Sequence, residues 1–390
     1  MKILTRGGII LVSLILSFGI VEKITRSLFP PPLRLSRVKV LSPYKKEKEK
    51  LVAEEKPGNL LYQETPLGIR LRPNVEILVK NAPPEGRDIL IRTNSLGYRN
   101  PEIGEKTKPR ILFLGDSITM GYNLPEEETF VKIIEKISQH TDKKVETINA
   151  GVLGASLREE LAILMETGIQ TSPDIVVLGF YLNDFKPSRG VKLVRLPAFL
   201  DRSWFLYYLL QGVLSLPPIS KREEVDTLTL NEWRAKARKR FPPGGGDPDK
   251  DPKAFNQLIM QNFRDWGIAW SEEAWVFMSP YFREFKELSE RHGFIPLIVV
   301  FPVKWQVTAN YLYDFPQRRL RKITENLKIK VLDLLPYLRK FALPARKKLF
   351  YDQCHLTPYG NQVVARIIWE FLYPEIEGLQ GRNKLRNQKL

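Results

Sequence analysis

Apolar residues fall along this chain in two alternating rhythms. From Pro109 onward, short continuous apolar runs alternate with stretches in which apolar positions recur every three or four residues. The first rhythm belongs to strands buried on both faces, the second to amphipathic helices, so their alternation predicts an α/β class with a parallel sheet flanked by helices. Strands are predicted over 111–114, 145–149, 174–180, 295–301 and 330–334. The third, Asp-Ile-Val-Val-Leu-Gly-Phe180, is almost continuously apolar and so takes a central place. Helices are predicted over 126–139, where Phe130, Ile133, Ile134 and Ile137 share one stripe, and over 156–168, 280–292 and 358–373. Gly293 supplies a C-cap to the third of these.

Ahead of the sheet the rhythm changes. Lys2 and Arg6 precede an uncharged run, Gly7 to Val21, which Glu22, Lys23 and Arg26 close. Fifteen helical residues span roughly 23 Å, short of the ~30 Å hydrocarbon core, a gap that snorkelling Lys and Arg can close. Ser17-Phe-Gly19 is a poor cleavage site and no cysteine follows the run, which excludes a lipoprotein anchor. The expectation is an uncleaved signal-anchor over 1–29 with its basic amino end in the cytoplasm and the rest outside. Residues 30–57, with Pro30-Pro-Pro32 and mixed Lys and Glu, read as a tether. Residues 58–108 form an accessory segment in which Arg92–Arg99 reads as strand then turn, with no chemistry of its own.

The main domain is expected over 109–375, followed by a basic tail, 376–390. An insertion, 186–279, lies between strands three and four and is far longer than an ordinary crossover. It carries Trp204-Phe-Leu-Tyr-Tyr208, the basic Arg234–Arg240 and Phe241-Pro-Pro-Gly-Gly-Gly-Asp-Pro248, read as a mobile loop. Because it leaves from the sheet edge where ligands collect, it is expected to act as a lid or cap.

Composition narrows the classes. With 43% hydrophobic residues in 390, the chain has ample material for a core. Its formal charge of +17 raises nucleic acid as a partner, but the basic residues sit in separated stretches without aromatic interleaving. Anionic lipid or anionic polysaccharide fits that distribution, and nucleic acid is not expected. The single cysteine, Cys354, excludes an intramolecular disulfide and any multi-cysteine metal site, and reads as a small buried residue.

Candidate chemistry collects at the strand ends. Strand one delivers Gly115-Asp116-Ser117 to the carboxyl edge of the sheet. Strand two leads into Asn149-Ala-Gly-Val-Leu-Gly-Ala-Ser156, where the Gly154 N–H can face a ligand beside a helix start. Strand three leads into Tyr181-Leu-Asn-Asp184, placing the Asn183 carboxamide at the same edge. Near the carboxyl end, Asp352-Gln-Cys-His355 puts an acid three residues before a histidine. Of the other two histidines, His140 reads as a solvated helix end and His292 as a helix C-terminus. Acyl transfer requires what these pieces offer. A serine hydroxyl needs a base, the imidazole needs an oriented partner, and the tetrahedral oxygen needs fixed donors. Ser117 is the candidate nucleophile, His355 its base and Asp352 the orienting acid. The Ser117 N–H, the Gly154 N–H and the Asn183 side chain are the candidate oxyanion donors.

In this order, these blocks resemble the SGNH hydrolase superfamily, the GDSL-type esterases and lipases, over roughly 109–373. Gly115-Asp116-Ser117 is similar to its nucleophile block, Gly154 and Asn183 to its oxyanion glycine and asparagine, and Asp352-x-x-His355 to its last block. The resemblance implies a flavodoxin-like three-layer α/β/α domain with about five parallel strands. It also implies hydrolysis or transfer of an O-acyl group with neither metal nor organic cofactor. Tyr181 stands where the family's asparagine block carries glycine, a bulky side chain placed to reshape the acyl pocket or tilt Asn183. The anchor and the insertion look like those of membrane-bound members that act on acetylated cell-envelope or exported polysaccharides. The expected setting is therefore a bacterial inner membrane, single-pass, with the site on the extracytoplasmic side and an acylated carbohydrate, or a lipid ester, as substrate. The alternative is a non-catalytic polysaccharide-binding or assembly component on a hydrolase-like fold.

Overall fold

A computed structural model of the protein describes residues 2–28, 38–40, 61–65, 68–83, 85–185, 191–193, 203, 205, 206, 209 and 228–387. The chain divides into two compact units, Met1–Ser42 with Val191–Thr227, and Pro43–Gly190 with Leu228–Leu390.

The larger unit is built on a five-stranded sheet: β1 (Arg110–Gly115), β2 (Glu146–Asn149), β3 (Ile175–Tyr181), β4 (Ile295–Phe301) and β5 (Lys330–Asp333). Every neighbouring pair is parallel and the order is β2-β1-β3-β4-β5. That is the flavodoxin-like doubly wound order, whose direction reverses between β1 and β3. All residues of β1 and β3 are buried, which is why both read as unbroken apolar runs. The helices Phe130–Gln139 and Pro358–Asn387 pack together on one face, while Leu157–Ile163, Glu272–His292 and Phe315–Leu327 cover the other. The closing helix runs on to Asn387, through most of the segment expected to be a basic tail.

The accessory segment is two antiparallel hairpins, Tyr62–Thr65 with Gly68–Leu71 and Glu76–Ala82 with Arg87–Arg92. They dock behind the sheet's functional edge. The Ile69 N–H donates to Glu159 Oε1 at 3.0 Å, Arg70 pairs with Glu166 at 2.7 Å, and the Tyr98 hydroxyl meets Thr167 Oγ1 at 2.6 Å.

The insertion does not behave as one piece. Its first part belongs with the amino-terminal helix: Val191–Leu193 pairs antiparallel with Val38–Val40, which is the only described part of the tether, and Ser203 Oγ donates to Glu22 Oε2 at 2.7 Å. Its second part belongs to the large unit as the helices Leu228–Arg240 and Pro252–Gln261 and the turn Trp266–Trp270. The loop 241–248, expected to be mobile, is pinned. The Gly244 N–H donates to the Lys253 carbonyl (2.8 Å), Asn256 Nδ2 to the Pro242 carbonyl (2.9 Å) and the Tyr311 hydroxyl to the Pro248 carbonyl (2.6 Å). Of the aromatic run 204–208, only Phe205 and Leu206 are described.

Over the expected signal-anchor the chain forms one helix, Lys2–Leu28. Among the described residues no helix is long and apolar enough to cross a membrane.

Candidate active site

β1 ends at Gly115, whose φ of +154° turns the chain into a short helix, Ser117–Met120. A Cβ at Gly115 would lie 2.1 Å from Thr119 Oγ1, and one at its paired neighbour Gly179 would lie 2.4 Å from the same atom. Two facing glycines thus make the slot into which Thr119 seats, and that seat fixes Ser117 above the sheet. Asp116 caps the helix, its Oδ1 accepting from the Ile118 N–H at 2.8 Å.

Arg99 holds the other end. Fully buried, it donates to the carbonyls of Met120 (3.0 Å), Gly121 (2.7 Å) and Leu124. Met120 is the last residue of the helix, so its carbonyl is one that a helix C-terminus leaves unsatisfied, and Gly121 and Leu124 lie in the turn that follows. The accessory segment thus clamps the serine helix at its C-terminal end. Burial pulls the Arg99 guanidinium down to about 10, against the upward pull of Glu126, Glu127 and the Tyr62 hydroxyl, so it stays charged at neutral pH.

The Ser117 hydroxyl meets His355 Nε2 at 2.8 Å, and His355 Nδ1 meets Asp352 Oδ2 at 2.6 Å. An ionised carboxylate can only accept, so Nδ1 carries the proton and Nε2 is left to accept from Ser117. The other Asp352 oxygen accepts from the N–H groups of Cys354 (2.9 Å) and His355 (2.7 Å). Burial alone would push His355 down. The hydrogen bond and charge of Asp352, with Asp116 and Asp265 behind them, outweigh it and hold the imidazole above its ordinary value. For Asp352, burial pushes upward, and its bonds from His355 and the loop N–H groups hold it below its ordinary value. The Tyr351 ring stacks on the imidazole at 5.6 Å and 14°, and Tyr122 lies at 6.4 Å, tilted by 50°.

The oxyanion candidates converge on the same edge. The Val152 N–H donates to the Gly115 carbonyl at 2.9 Å and the Leu157 N–H to the Asp184 carbonyl at 3.1 Å, lacing together the loops after β1, β2 and β3. Gly154 is exposed at φ +73°, with open space where a Cβ would stand. The helix after it opens with a capping box in which Glu159 Oε2 accepts from the Ser156 N–H at 2.9 Å, while Glu159 Oε1 takes Ile69 of the accessory segment. Asn183 is half-buried and its Oδ1 has no hydrogen-bond partner among the described residues. The neighbouring Asp184 accepts from the Tyr181 N–H at 2.7 Å, which fixes the turn that carries Asn183. Tyr181 itself is wholly buried, its hydroxyl beside the Cys354 thiol, so its side chain packs behind the histidine loop.

Asp352, Cys354 and His355 also bring ligand-type atoms within 4.8 Å of one another. Burial, then the charges of Asp352 and Asp116, push the Cys354 thiol well up, which keeps it neutral beside the imidazole. His355 Nδ1 is already engaged by Asp352. A further buried acid, Glu160, lies near Asp116, and among the described residues neither of its oxygens has a hydrogen-bond partner. Burial first, then Asp116 and Glu159, hold it well above the carboxylate range.

Thus Ser117, His355 and Asp352 form one hydrogen-bonded chain, with the loops of Gly154 and Asn183 beside it. The sequence reading missed Arg99, Asn123, Tyr351 and Trp266. Trp266, from the insertion, donates through Nε1 to Gln353 Oε1 at 3.1 Å and so braces the loop between Asp352 and His355. Only Tyr351, adjacent to Asp352, carried a sequence signal, that of position.

No protein-family model matches the chain, and no curated protein matches it by sequence. Solved structures overlap with it in part. One is the acetyl xylan esterase AlAXEase (13% identity, 67% of this chain and 99% of that one, TM-score 0.37). A second is a putative lipolytic protein of the G-D-S-L family from Desulfitobacterium hafniense (11%, 67% and 99%, 0.36). A third is an acetylxylan esterase from Geobacillus stearothermophilus (15%, 70% and 96%, 0.37).

Proposed function

We propose that this chain is a serine-dependent enzyme that hydrolyses or transfers an O-acyl ester. The observation that carries the reading is the hydrogen-bonded chain Ser117–His355–Asp352, at 2.8 and 2.6 Å. Ser117 Oγ attacks the ester carbonyl carbon while His355 Nε2 takes its proton. Asp352 stabilises the imidazolium, and the oxyanion accepts from the Ser117 N–H, the Gly154 N–H and Asn183 Nδ2. The Ser117 N–H suits this role because the first N–H groups of a helix have no intrahelical partner. As the C–O bond breaks, His355 returns the proton to the leaving alkoxide and an acyl-serine remains. His355 then deprotonates water, in an esterase, or an acceptor hydroxyl, in a transferase, which attacks the acyl carbon and frees Ser117.

The substrate we assign is an acetylated polysaccharide of the cell envelope or an exported glycan. A formal charge of +17 supports an anionic glycan. An anchored position in a bacterial inner membrane, single-pass and with the site outside, is part of the same reading. On the helix Lys2–Leu28, Leu16, Ile20, Ile24 and Leu28 recur at four-residue spacing and are exposed. The hydroxyls of Thr25 and Ser27 fold back onto the Val21 and Lys23 carbonyls at 2.9 and 3.0 Å, so each has a partner within the helix. Glu22 is engaged by Arg26 and by Ser203.

The test compares wild type with Ser117→Ala on nitrophenyl esters of increasing chain length and on acetylated glycans, with fluorophosphonate labelling of the folded protein. Loss of turnover and labelling in the variant, with preference for acetyl, is expected. Undiminished acetate release by Ser117→Ala overturns the mechanism, and preference for long chains replaces the glycan with a lipid ester. For the anchor, deletion of 1–29 is expected to move the protein from the membrane to the soluble fraction.

A further inference from the structure

The aromatic face against His355 has no place in the relay itself. Tyr351 precedes Asp352 directly, and its N–H donates to the His355 carbonyl at 3.1 Å, so the loop folds back and lays the phenol ring on the imidazole. The rings are nearly parallel, 14° apart with centroids 5.6 Å apart, an offset stack. Asn123 Nδ2 donates to the Tyr351 hydroxyl at 3.4 Å. Asn123 sits at φ +66° in the turn just after the serine helix, a left-handed conformation that asparagine tolerates better than most residues. The ring therefore touches the base on one side and, through its hydroxyl, the turn that carries the nucleophile on the other.

We propose that Tyr351 is a positioning residue for His355: its π face fixes the imidazole plane between Ser117 and Asp352 and favours the imidazolium formed when Ser117 is deprotonated. A cation over an aromatic face is stabilised by the ring quadrupole, more so where water is scarce. His355 is faced by Asp352 and Tyr351 from its own loop and by Tyr122 from the serine turn. The thiol of Cys354 lies 3.6 Å from Nδ1, and the charges of Asp116 and Asp265 also reach the ring. Tyr351 is the aromatic group stacked parallel to the imidazole, so replacing it isolates one contribution from the carboxylates. The inference rests on the proposed role of His355, but its test does not need turnover.

The chain has three histidines, so each imidazole can be followed by NMR through a pH titration without substrate. Tyr351→Leu keeps apolar bulk but removes the π face, and is expected to lower the His355 midpoint by about half a pH unit or more. Tyr351→Phe keeps the face and leaves the midpoint at the wild-type value while loosening the tie to Asn123. A Tyr351→Leu midpoint equal to or above wild type overturns the proposal. If Tyr351→Leu does not fold, Tyr351→Met supplies the same comparison with a more adaptable chain. Failure of the serine mechanism would appear instead as Ser117→Ala retaining turnover, a result that leaves the titration readable.

Discussion

The serine turn and the histidine loop meet at one hydrogen bond, yet they are held in different ways. The serine turn is fixed from behind by groups remote in sequence. Thr119 fills the slot between Gly115 and Gly179, Asn149 Nδ2 donates to the Thr119 carbonyl at 2.9 Å, and Arg99 clamps three carbonyls. The histidine loop is folded mostly by itself. Phe350 and Leu356 form an isolated bridge, the Thr357 N–H donates to the Leu349 carbonyl at 3.0 Å, and Asp352 gathers two N–H groups and the imidazole. Its outside ties are few, chiefly Trp266 and the Lys304 N–H on Gln353. The nucleophile is thus placed by the core of the large unit, and the base by its own acid.

The sharpest way to test that contrast is at the acid. Asp352→Asn removes the partner that sets the His355 tautomer, and a loss of about 10⁴ in kcat is expected by analogy with other triads. It also alters pH dependence. In wild type, kcat/KM is expected to fall as pH drops through the His355 value, which lies above the ordinary ~6.5, because only the neutral imidazole is a base. Without the carboxylate that limb moves to lower pH. Stability follows the same pair. The depressed Asp352 contributes stability above its unfolded value, lost as pH falls through its folded one. The raised His355 contributes below its unfolded value, lost as pH rises through its folded one. Their joint contribution is largest between about pH 4 and 6.5. Denaturant midpoints of wild type and Asp352→Asn across pH 3–9 check this, and a difference independent of pH would sink it.

The serine turn should break from a distance. Arg99→Leu takes a donor from three buried carbonyls, of which only Gly121 keeps another, the Leu124 N–H, at a cost of about 3 kcal/mol. Displacement of Ser117 by a fraction of an ångström is expected to lower kcat roughly tenfold beyond the stability loss. Urea unfolding and fluorophosphonate labelling rate read the two effects separately. A fully stable variant with wild-type labelling would mean that Thr119 and Asn149 hold the turn unaided.

The same contrast explains what could be read from the sequence. The histidine loop was legible because its determinants are local: acid and base stand three residues apart. The five strands were legible because strands buried on both faces read as apolar runs. The clamp by Arg99 was not, since nothing near Arg99 names its partners twenty residues on; only the docking of the hairpins brings them together. Within the helix Leu228–Arg240, the stretch Arg234–Arg240 reads only as basic because its charged residues outnumber the inward-facing Ala237. The hairpin strand Arg87–Arg92 alternates Ile89 and Ile91 inward with Leu90 outward, a pattern too short to stand out beside charged neighbours. The loop 241–248 was expected to move because of its Gly and Pro, but its carbonyls found donors on Asn256 and Tyr311.

The smallest effect concerns the insertion's hold on the histidine loop. Trp266 is wholly buried, rests against Phe255, Trp270 and Trp305, and reaches Gln353 with its one polar atom. Trp266→Phe keeps much of the packing, removes that donor and leaves Gln353 Oε1 without it, a loss of about 1 kcal/mol. If the histidine loop is folded mainly by itself, kcat falls only a few-fold and the His355 titration midpoint does not move, because Asp352 stays in place. If instead the loss in kcat approaches that of Asp352→Asn, the insertion sets the base as firmly as the core sets the nucleophile. The two regions would then be alike in kind, which a side-by-side measurement of the two variants decides.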